Sequence, residues 1–439
     1  MRKFLFFSVA LLTTTLFCAS CQKEDAVVTS DVSTAVKSEV QTSKNLHVSY
    51  KDAIQIATEA VAMLEGDAQT RSAVKRRVDL SKVKYHVTPQ TRSGEGGDTL
   101  YYVVNYADNA GFALVSTSRA DGDPLIAVTE QGNFTPGEET GNPGFDMYIS
   151  LLNDRPSPKP EDGPTSPIDT TFHGFGPFYE TIILEESEVE ALLTVRWGQE
   201  APYNMFCFTK DTNEQALAGC TAIAMAQIMS YYRYPTSFNR TYDSTMQNVI
   251  LNWNEIVASP TMHNSSENNK LALAHLIREF GGYANMSYGI NISSALYPDV
   301  SYAITALGYT TSVSYYNYDL VENELQASRP VYVLGQSLSG GGHAWIIDGY
   351  KKRTSVTNHY VLWEDGVMEF MYQEPMVTNK YLHINWGYDG DNNGYYYADV
   401  FDMSAYYELD TGVAVNEELH ANYNGLIRVY TGLRPSIDN

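Results

Sequence analysis

At 439 residues the chain exceeds one average domain, and its 44% hydrophobic content places it among folded proteins with two or three cores, not among disordered chains. A formal net charge of −23, with 29 Lys+Arg diluted over the whole length, excludes a nucleic-acid binder that needs a basic stripe and leaves a solvated acidic surface. The 33 Tyr and 31 Gly favour strands and turns over long helices.

The chain opens on basic Met1-Arg2-Lys3, followed by an apolar run from Phe4 to Phe17 that has signal-peptide length and is too short to span a bilayer. Export is expected. Cys18-Ala19-Ser20-Cys21 resembles a bacterial lipobox, with Cys18 where Leu is usual, so residues 1–20 read as a lipoprotein signal and Cys21 as the acylated residue. Ordinary secretion is the alternative. Gln22-Lys23-Glu24-Asp25 resembles the Lys-plus-acid tag of surface-exposed Gram-negative lipoproteins, which points to an outer-membrane or cell-surface location. Cys18 leaves with the signal and Cys21 carries lipid, so Cys207 and Cys220 remain, either free or paired with each other in an oxidising compartment.

Residues 21–48 are polar and aperiodic and read as a tether. Ser49-Tyr50-Lys51-Asp52 is a capping-box-like start for a helix with Ile54, Ala57, Val61 and Leu64 on one face, ending near Gly66. Strands are predicted at Thr99–Tyr106, Gly111–Thr117 and Pro124–Thr129. Residues 49–152 thus form a small α+β domain. The segment 153–188 begins with five prolines up to Thr170 and reads as an exposed connector in which a precursor would be cut.

From residue 189 to the C-terminus a larger α+β domain is predicted. Helices are expected over Cys220–Tyr232 and Asn268–Phe280, the second stopped by Gly281-Gly282. Late strands follow at Val331–Leu334, His343–Tyr350, Tyr360–Trp363, Tyr381–Trp386, Tyr395–Val400 and Leu426–Tyr430.

Cys220 follows Ala218-Gly219 and opens a helix, where unpaired N–H groups and the positive dipole end favour thiolate, and its own N–H faces the place where an oxyanion would develop. A thiolate needs an imidazole. Nine histidines compete; His343 stands after Gly340-Gly341-Gly342, which let a substrate approach, and before a buried strand, while His383 is its rival. Asn385 and Trp386 offer an amide oxygen and a shielding indole beside such a pair.

Trp197-Gly198-Gln199, Gly219-Cys220-Thr221-Ala222 through Gln227-Ile228-Met229, Gly341-Gly342-His343-Ala344 through Asp348-Gly349, and Asn385-Trp386-Gly387 stand in one order that resembles the streptopain family of papain-like cysteine peptidases. Gly111–Thr117 and Pro124–Ala127 resemble the family's inhibitory pro-domain. The resemblance implies a papain-like fold, with the cysteine on a helical part and the histidine on an antiparallel sheet, behind a small α+β pro-domain. It implies Cys220 as nucleophile, His343 as base, Asn385 and Trp386 as the orienting and shielding pair, and Gln199 as oxyanion donor. Substrate would pass Gly341, Gly342 and Gln336; the last is two positions beyond Leu334, which stands where some relatives carry glutamine.

The function implied is an exported cysteine endopeptidase made as a zymogen. Its partners would be protein or peptide substrates, its own pro-domain as intramolecular inhibitor, and the outer membrane through the lipid. A cell-wall peptide amidase using the same Cys-His pair, and an anchored binding or inhibitory protein with a dead site, are the other readings. No cofactor is called for. Asp389-Gly390-Asp391-Asn392-Asn393-Gly394 copies the start of a calcium loop, but Val400 stands at its twelfth position in place of a bidentate Glu, so no metal is expected.

Overall fold

The computed structural model describes residues 47–64, 76–87, 99–119, 122–154, 174–242, 247–336, 342–363, 366–373, 375–402 and 427–436. The signal segment 1–20, Cys21, nearly all of the tether, Gly66 and Gly341 lie outside the described residues. Among those described, no helix is long and apolar enough to cross a membrane.

The N-terminal portion starts as its sequence dictates. The Ser49 hydroxyl accepts from the Asp52 N–H and the Asp52 carboxylate accepts from the Ser49 N–H, so a capping box opens helix α1 (Tyr50–Ala60), which a 3-10 turn over Val61–Met63 extends. Strands β1 (Val78–Val87), β2 (Thr99–Tyr106), β3 (Phe112–Ser116) and β4 (Leu125–Thr129) pair in antiparallel succession, and α1 buries Ala53 and Ala57 against them. Helix α2 (Pro143–Asp154) was not expected. Asn142 Oδ1 accepts from the N–H groups of Gly144 and Phe145, and Pro143 stands in the first turn, where its missing N–H costs nothing.

Strand β5 (Gly174–Val189) occupies most of the second half of the segment read as an exposed connector; residues 155–173 lie outside the described residues. Helix α3 (Cys220–Tyr232), strands β6 (Ser237–Asn239) and β7 (Asn248–Ile250), and helices α4 (Trp253–Ile256), α5 (Glu267–Tyr283) and α6 (Tyr297–Ala306) build a helical part. Gly281 and Gly282 lie inside α5 instead of stopping it. A Cβ on Gly281 would come 2.0 Å from the Tyr288 hydroxyl, so close packing requires the glycine here, not helix termination.

The remaining elements are β8 (Tyr309–Tyr315), α7 (Tyr318–Gln326), β9 (Val331–Gln336), β10 (Gly342–Trp363), β11 (Met368–Gln373), β12 (Val377–Asn385), β13 (Gly394–Tyr397) and β14 (Ile427–Pro435). The two strands expected at His343–Tyr350 and Tyr360–Trp363 are one: β10 stays extended because β9, β12, β11 and β5 pair along it in turn. The expected Tyr395–Val400 strand stops at Tyr397, and a 3-10 turn over Ala398–Phe401 follows.

Both portions fall in one compact unit and share one sheet, in the order β1-β2-β3-β4-β13-β12-β10-β9-β14-β8. The fold is mixed α and β, dominated by that sheet. The junction is β4 on β13, with Val128 opposite Tyr395. A Cβ on Gly394 would meet the Val128 carbonyl oxygen at 2.2 Å, so glycine permits the close approach.

Alternation along β9 and β10 sorts side chains into two cores. Val331, Val333, Trp345 and Ile347 join α1, α2 and α7 on one face. Tyr332, Leu334, Ala344 and Ile346 join α3, α5 and α6 on the other. The start of β10 therefore lies between α3 on one face and α2 on the other.

Candidate active site

Gly219, at φ +89°, turns the chain into α3, and a Cβ there would meet the Met286 sulfur at 2.6 Å. Cys220 thus opens the helix, partly buried, and its Sγ accepts the backbone N–H of Ala344 at 3.4 Å. Burial pushes the thiol above its ordinary range, outweighing the N–H groups of Ala344, Thr221 and Cys220 that favour thiolate. The sequence expectation of a favoured thiolate is not met in this state because desolvation exceeds the helix-end effect. Cys207 is buried, and both it and Cys220 are free thiols, so the alternative in which they pair is overturned.

His343 lies one residue from that N–H, and its ring lies among Trp345, Trp386 and Tyr388. Its centroid is 6.3 Å from that of Trp345, 6.3 Å from Trp386 and 5.6 Å from Tyr388. Nε2 lies 2.9 Å from the Trp386 carbonyl oxygen, to which a protonated Nε2 donates. Burial lowers the imidazole to about 4, with the Trp386 carbonyl opposing in part. Thiol and imidazole are both neutral here near pH 7.

The group that packs on His343 comes from α2. A Cβ on Gly144 would stand 2.3 Å from His343 Cδ2 and 2.6 Å from Trp386 Cε3, so only a glycine lets the helix lie against both rings. On the next turn of α2, Met147 lies against Gly335, whose own added Cβ would be 3.0 Å from its sulfur.

Trp386 is fully buried beside His343, its indole donating to Tyr396 at 3.2 Å. Asn385 precedes Trp386 directly, but the partners of its amide are other than His343. Its Oδ1 accepts from Gly387 N–H at 3.1 Å and from Gln227 Nε2 at 3.3 Å, while Nδ2 donates to Val195 O and Gln227 Oε1. Gln199 is buried, and its side chain shares a hydrogen bond with the Tyr388 hydroxyl, which is close enough to Cys220 to feel its charge. Gly342 is exposed at the start of β10; of Gln336 the backbone pairs with Gly342, and its side chain is outside the described residues.

His383, the rival base, is committed elsewhere. Nδ1 is 2.6 Å from Asp348 Oδ1, and Nε2 is 3.6 Å from Glu130 Oε1, an ion-pair separation too long for a hydrogen bond. Burial alone would depress His383, but Asp348 and Glu130 together outweigh it and push it up to about 9. Glu130 also takes Arg196 Nη2 at 2.8 Å. One buried carboxylate of the N-terminal portion thus binds two cationic groups of the C-terminal portion.

The sequence reading missed α2, Tyr388, Gln227 and Glu130. Asn142-Pro143 followed by Phe145, Tyr148, Leu151 and Leu152 is a legible helix start with helical spacing. Nothing local marks Glu130 or Gln227, whose partners are distant in the chain. The Asp389–Asn393 segment forms the turn between β12 and β13, where Gln131 holds it through the Asp389 carbonyl and Asp391.

The pattern of the peptidase C10 family matches residues 197–396, and that of the Spi protease inhibitor matches residues 45–155. Streptopain of Streptococcus pyogenes is similar at 24% identity over 417 residues, spanning 86% of this chain and 90% of its own. The thiol protease/hemagglutinin PrtT of Porphyromonas gingivalis is similar at 26% identity over 353 residues, covering 73% of this chain and 36% of that protein. Among solved structures, a Prevotella intermedia prointerpain A fragment superposes with a TM-score of 0.48 at 21% identity, covering 80% of this chain and 98% of the fragment.

Proposed function

Since the chain is a cysteine endopeptidase of the peptidase C10 family carrying a Spi-type inhibitor domain ahead of its catalytic domain, we propose that it is an exported, lipid-anchored zymogen that cleaves proteins through a thioester on Cys220. The arrangement that supports this is the Cys220 sulfur at the Ala344 N–H, with His343 turned away onto the Trp386 carbonyl under Gly144 of the inhibitor portion. In this reading the nucleophile is in place, and the base is occupied by its bond to the Trp386 carbonyl.

Removal of α2 frees the His343 ring to rotate about its side-chain torsions toward Cys220. There it takes the thiol proton and forms the ion pair that neither group sustains while buried. Sγ then bonds to the scissile carbonyl carbon, and the oxygen becomes an anion received by the Cys220 N–H and the Gln199 amide. His343 gives its proton to the leaving amine as the C–N bond breaks. Water hydrolyses the thioester, releasing the acid and restoring the thiol. Trp386 keeps water from the pair, and Gly341, Gly342 and Gln336 border the path of an extended substrate.

The anchor is Cys21, and the site of cutting falls in 153–188, so that a single cleavage there detaches the inhibitor portion from the catalytic one. Proteolysis of casein by the wild-type chain and by Cys220→Ala tests the reading, with loss of at least about 10³-fold expected for removal of a covalent nucleophile. Equal hydrolysis by both ends it. Release of peptides from peptidoglycan without casein cleavage would favour the amidase reading. A preparation cut in the connector yet no more active than the precursor would remove the inhibitory role of the N-terminal portion.

A further inference from the structure

Gln227 lies two turns along α3 from Cys220, on the same side of the helix, and is wholly buried. Its Oε1 accepts two hydrogen bonds, from the backbone N–H of Trp197 at 3.0 Å and from Asn385 Nδ2 at 3.1 Å. Its Nε2 donates to Asn385 Oδ1 at 3.3 Å. Asn385 completes the set through Val195 O at 2.9 Å and the Gly387 N–H at 3.1 Å. This paired-amide cluster ties three stretches together: the helix that begins at Cys220, the segment running through Val195 and Trp197 toward Gln199, and the turn carrying Trp386 and Tyr388. Away from water, each broken bond would leave a polar atom with no replacement partner, so the three stretches are held in one relative position.

We propose that Gln227 is a positioning residue for the oxyanion: by holding the Trp197 backbone to α3, it sets the Gln199 amide at a constant height above the Cys220 N–H. The proposal rests on Gln199 being an oxyanion donor. Gln227 touches neither substrate nor sulfur, and acts through Trp197 and Asn385. It also gives Asn385 a different duty from the one its sequence position suggests, since both ends of that amide are already engaged within the cluster.

Amide hydrolysis builds an oxyanion at a carbonyl, whereas alkylation by iodoacetamide forms an S–C bond at a saturated carbon as iodide leaves and builds none. The two reactions share Cys220 and differ in their need for Gln199. The experiment uses full-length chains bearing Gln227→Met, Gln199→Ala or both, matured by a trace of wild-type enzyme and then separated from it. The measurements are kcat and KM on a peptide amide and the rate of iodoacetamide alkylation.

The expected result for Gln227→Met is a fall in kcat on the order of 10²-fold, near that of removing one oxyanion donor, with KM and alkylation within about threefold of wild type. Added to Gln199→Ala, it should cost less than about threefold more, because both act on one interaction. Unchanged kcat, alkylation falling in step with kcat, or a full multiplicative loss in the double variant each overturns the proposal; the second would mark a merely structural residue. Should Gln227→Met not fold, Gln227→Glu retains the oxygen that receives the Trp197 N–H and should keep at least about a tenth of wild-type kcat. A folded Gln227→Glu enzyme as slow as Gln199→Ala overturns it equally. If Gln199→Ala alone keeps full kcat, the oxyanion reading itself falls, an outcome distinct from Gln227→Met failing while Gln199→Ala is slow.

Discussion

Gln199 and Gly144 mark the two states of one site. The Gln199 side chain shares a hydrogen bond with the Tyr388 hydroxyl, and under the proposed mechanism it receives an oxyanion beside the Cys220 N–H once α2 is removed. Gln199→Ala should lower kcat by about 10²–10³-fold with a small change in KM, measured on the matured enzyme with a peptide amide. Gly144 has no room for a methyl group between α2 and the rings of His343 and Trp386. Gly144→Ala should weaken docking of α2 by about 1–3 kcal/mol, an increase of roughly 5- to 150-fold in the open population. Iodoacetamide labelling of Cys220 in the uncut precursor reads this, and a rate equal to wild type would mean that α2 does not guard the site.

Helix α2 and the β4–β13 junction show which elements could be read along the chain. Helix α3 was legible to the residue, because a glycine turn, small apolar residues and Pro235 bound it on both sides. Helix α1 was legible from its capping box. Strand β5 was hidden because its extended form comes from pairing with β10, a partner more than 150 residues away, and not from its own pattern. Glu130 follows β4 directly and places a carboxylate against Arg196 and His383. Glu130→Gln should destabilise the precursor by about 1–3 kcal/mol, since it leaves cationic groups without their buried partner. Thermal unfolding of the full chain should shift down, and a midpoint equal to that of wild type would show that Glu130 does not hold Arg196 and His383 in place.

At the scale of the molecule, His343 and His383, both buried, give stability opposite dependences on pH. His343 is lowered to about 4, so between pH 4 and its unfolded value near 6.5 the unfolded chain binds the extra proton, and stability is lost as pH falls through that window. His383 is raised to about 9, so between 6.5 and 9 the folded chain holds the extra proton, and its contribution, complete below 6.5, is lost as pH rises. Denaturant unfolding of the Cys220→Ala precursor should therefore be steepened by His343 on the acid side and by His383 on the alkaline side. His343→Gln should flatten the first limb and His383→Gln the second. A variant that leaves its own limb unchanged would show that the histidine does not titrate with folding.

By itself the sequence determined the order of the chemical groups, the helix that presents Cys220, the strand that carries His343, and the presence of an N-terminal α+β portion ahead of a catalytic one. Those features depend on spacing, capping and glycine turns among near neighbours, which are local properties of the chain. Only the tertiary structure decided that one sheet runs through both portions, that α2 packs on the His343 and Trp386 rings, that burial outweighs the helix end at Cys220, and that Gln227 and Glu130 bridge distant segments. Each of these is a contact or a loss of solvent between segments far apart in sequence, and a pattern with a period of two or 3.6 residues carries no record of what will be packed against it.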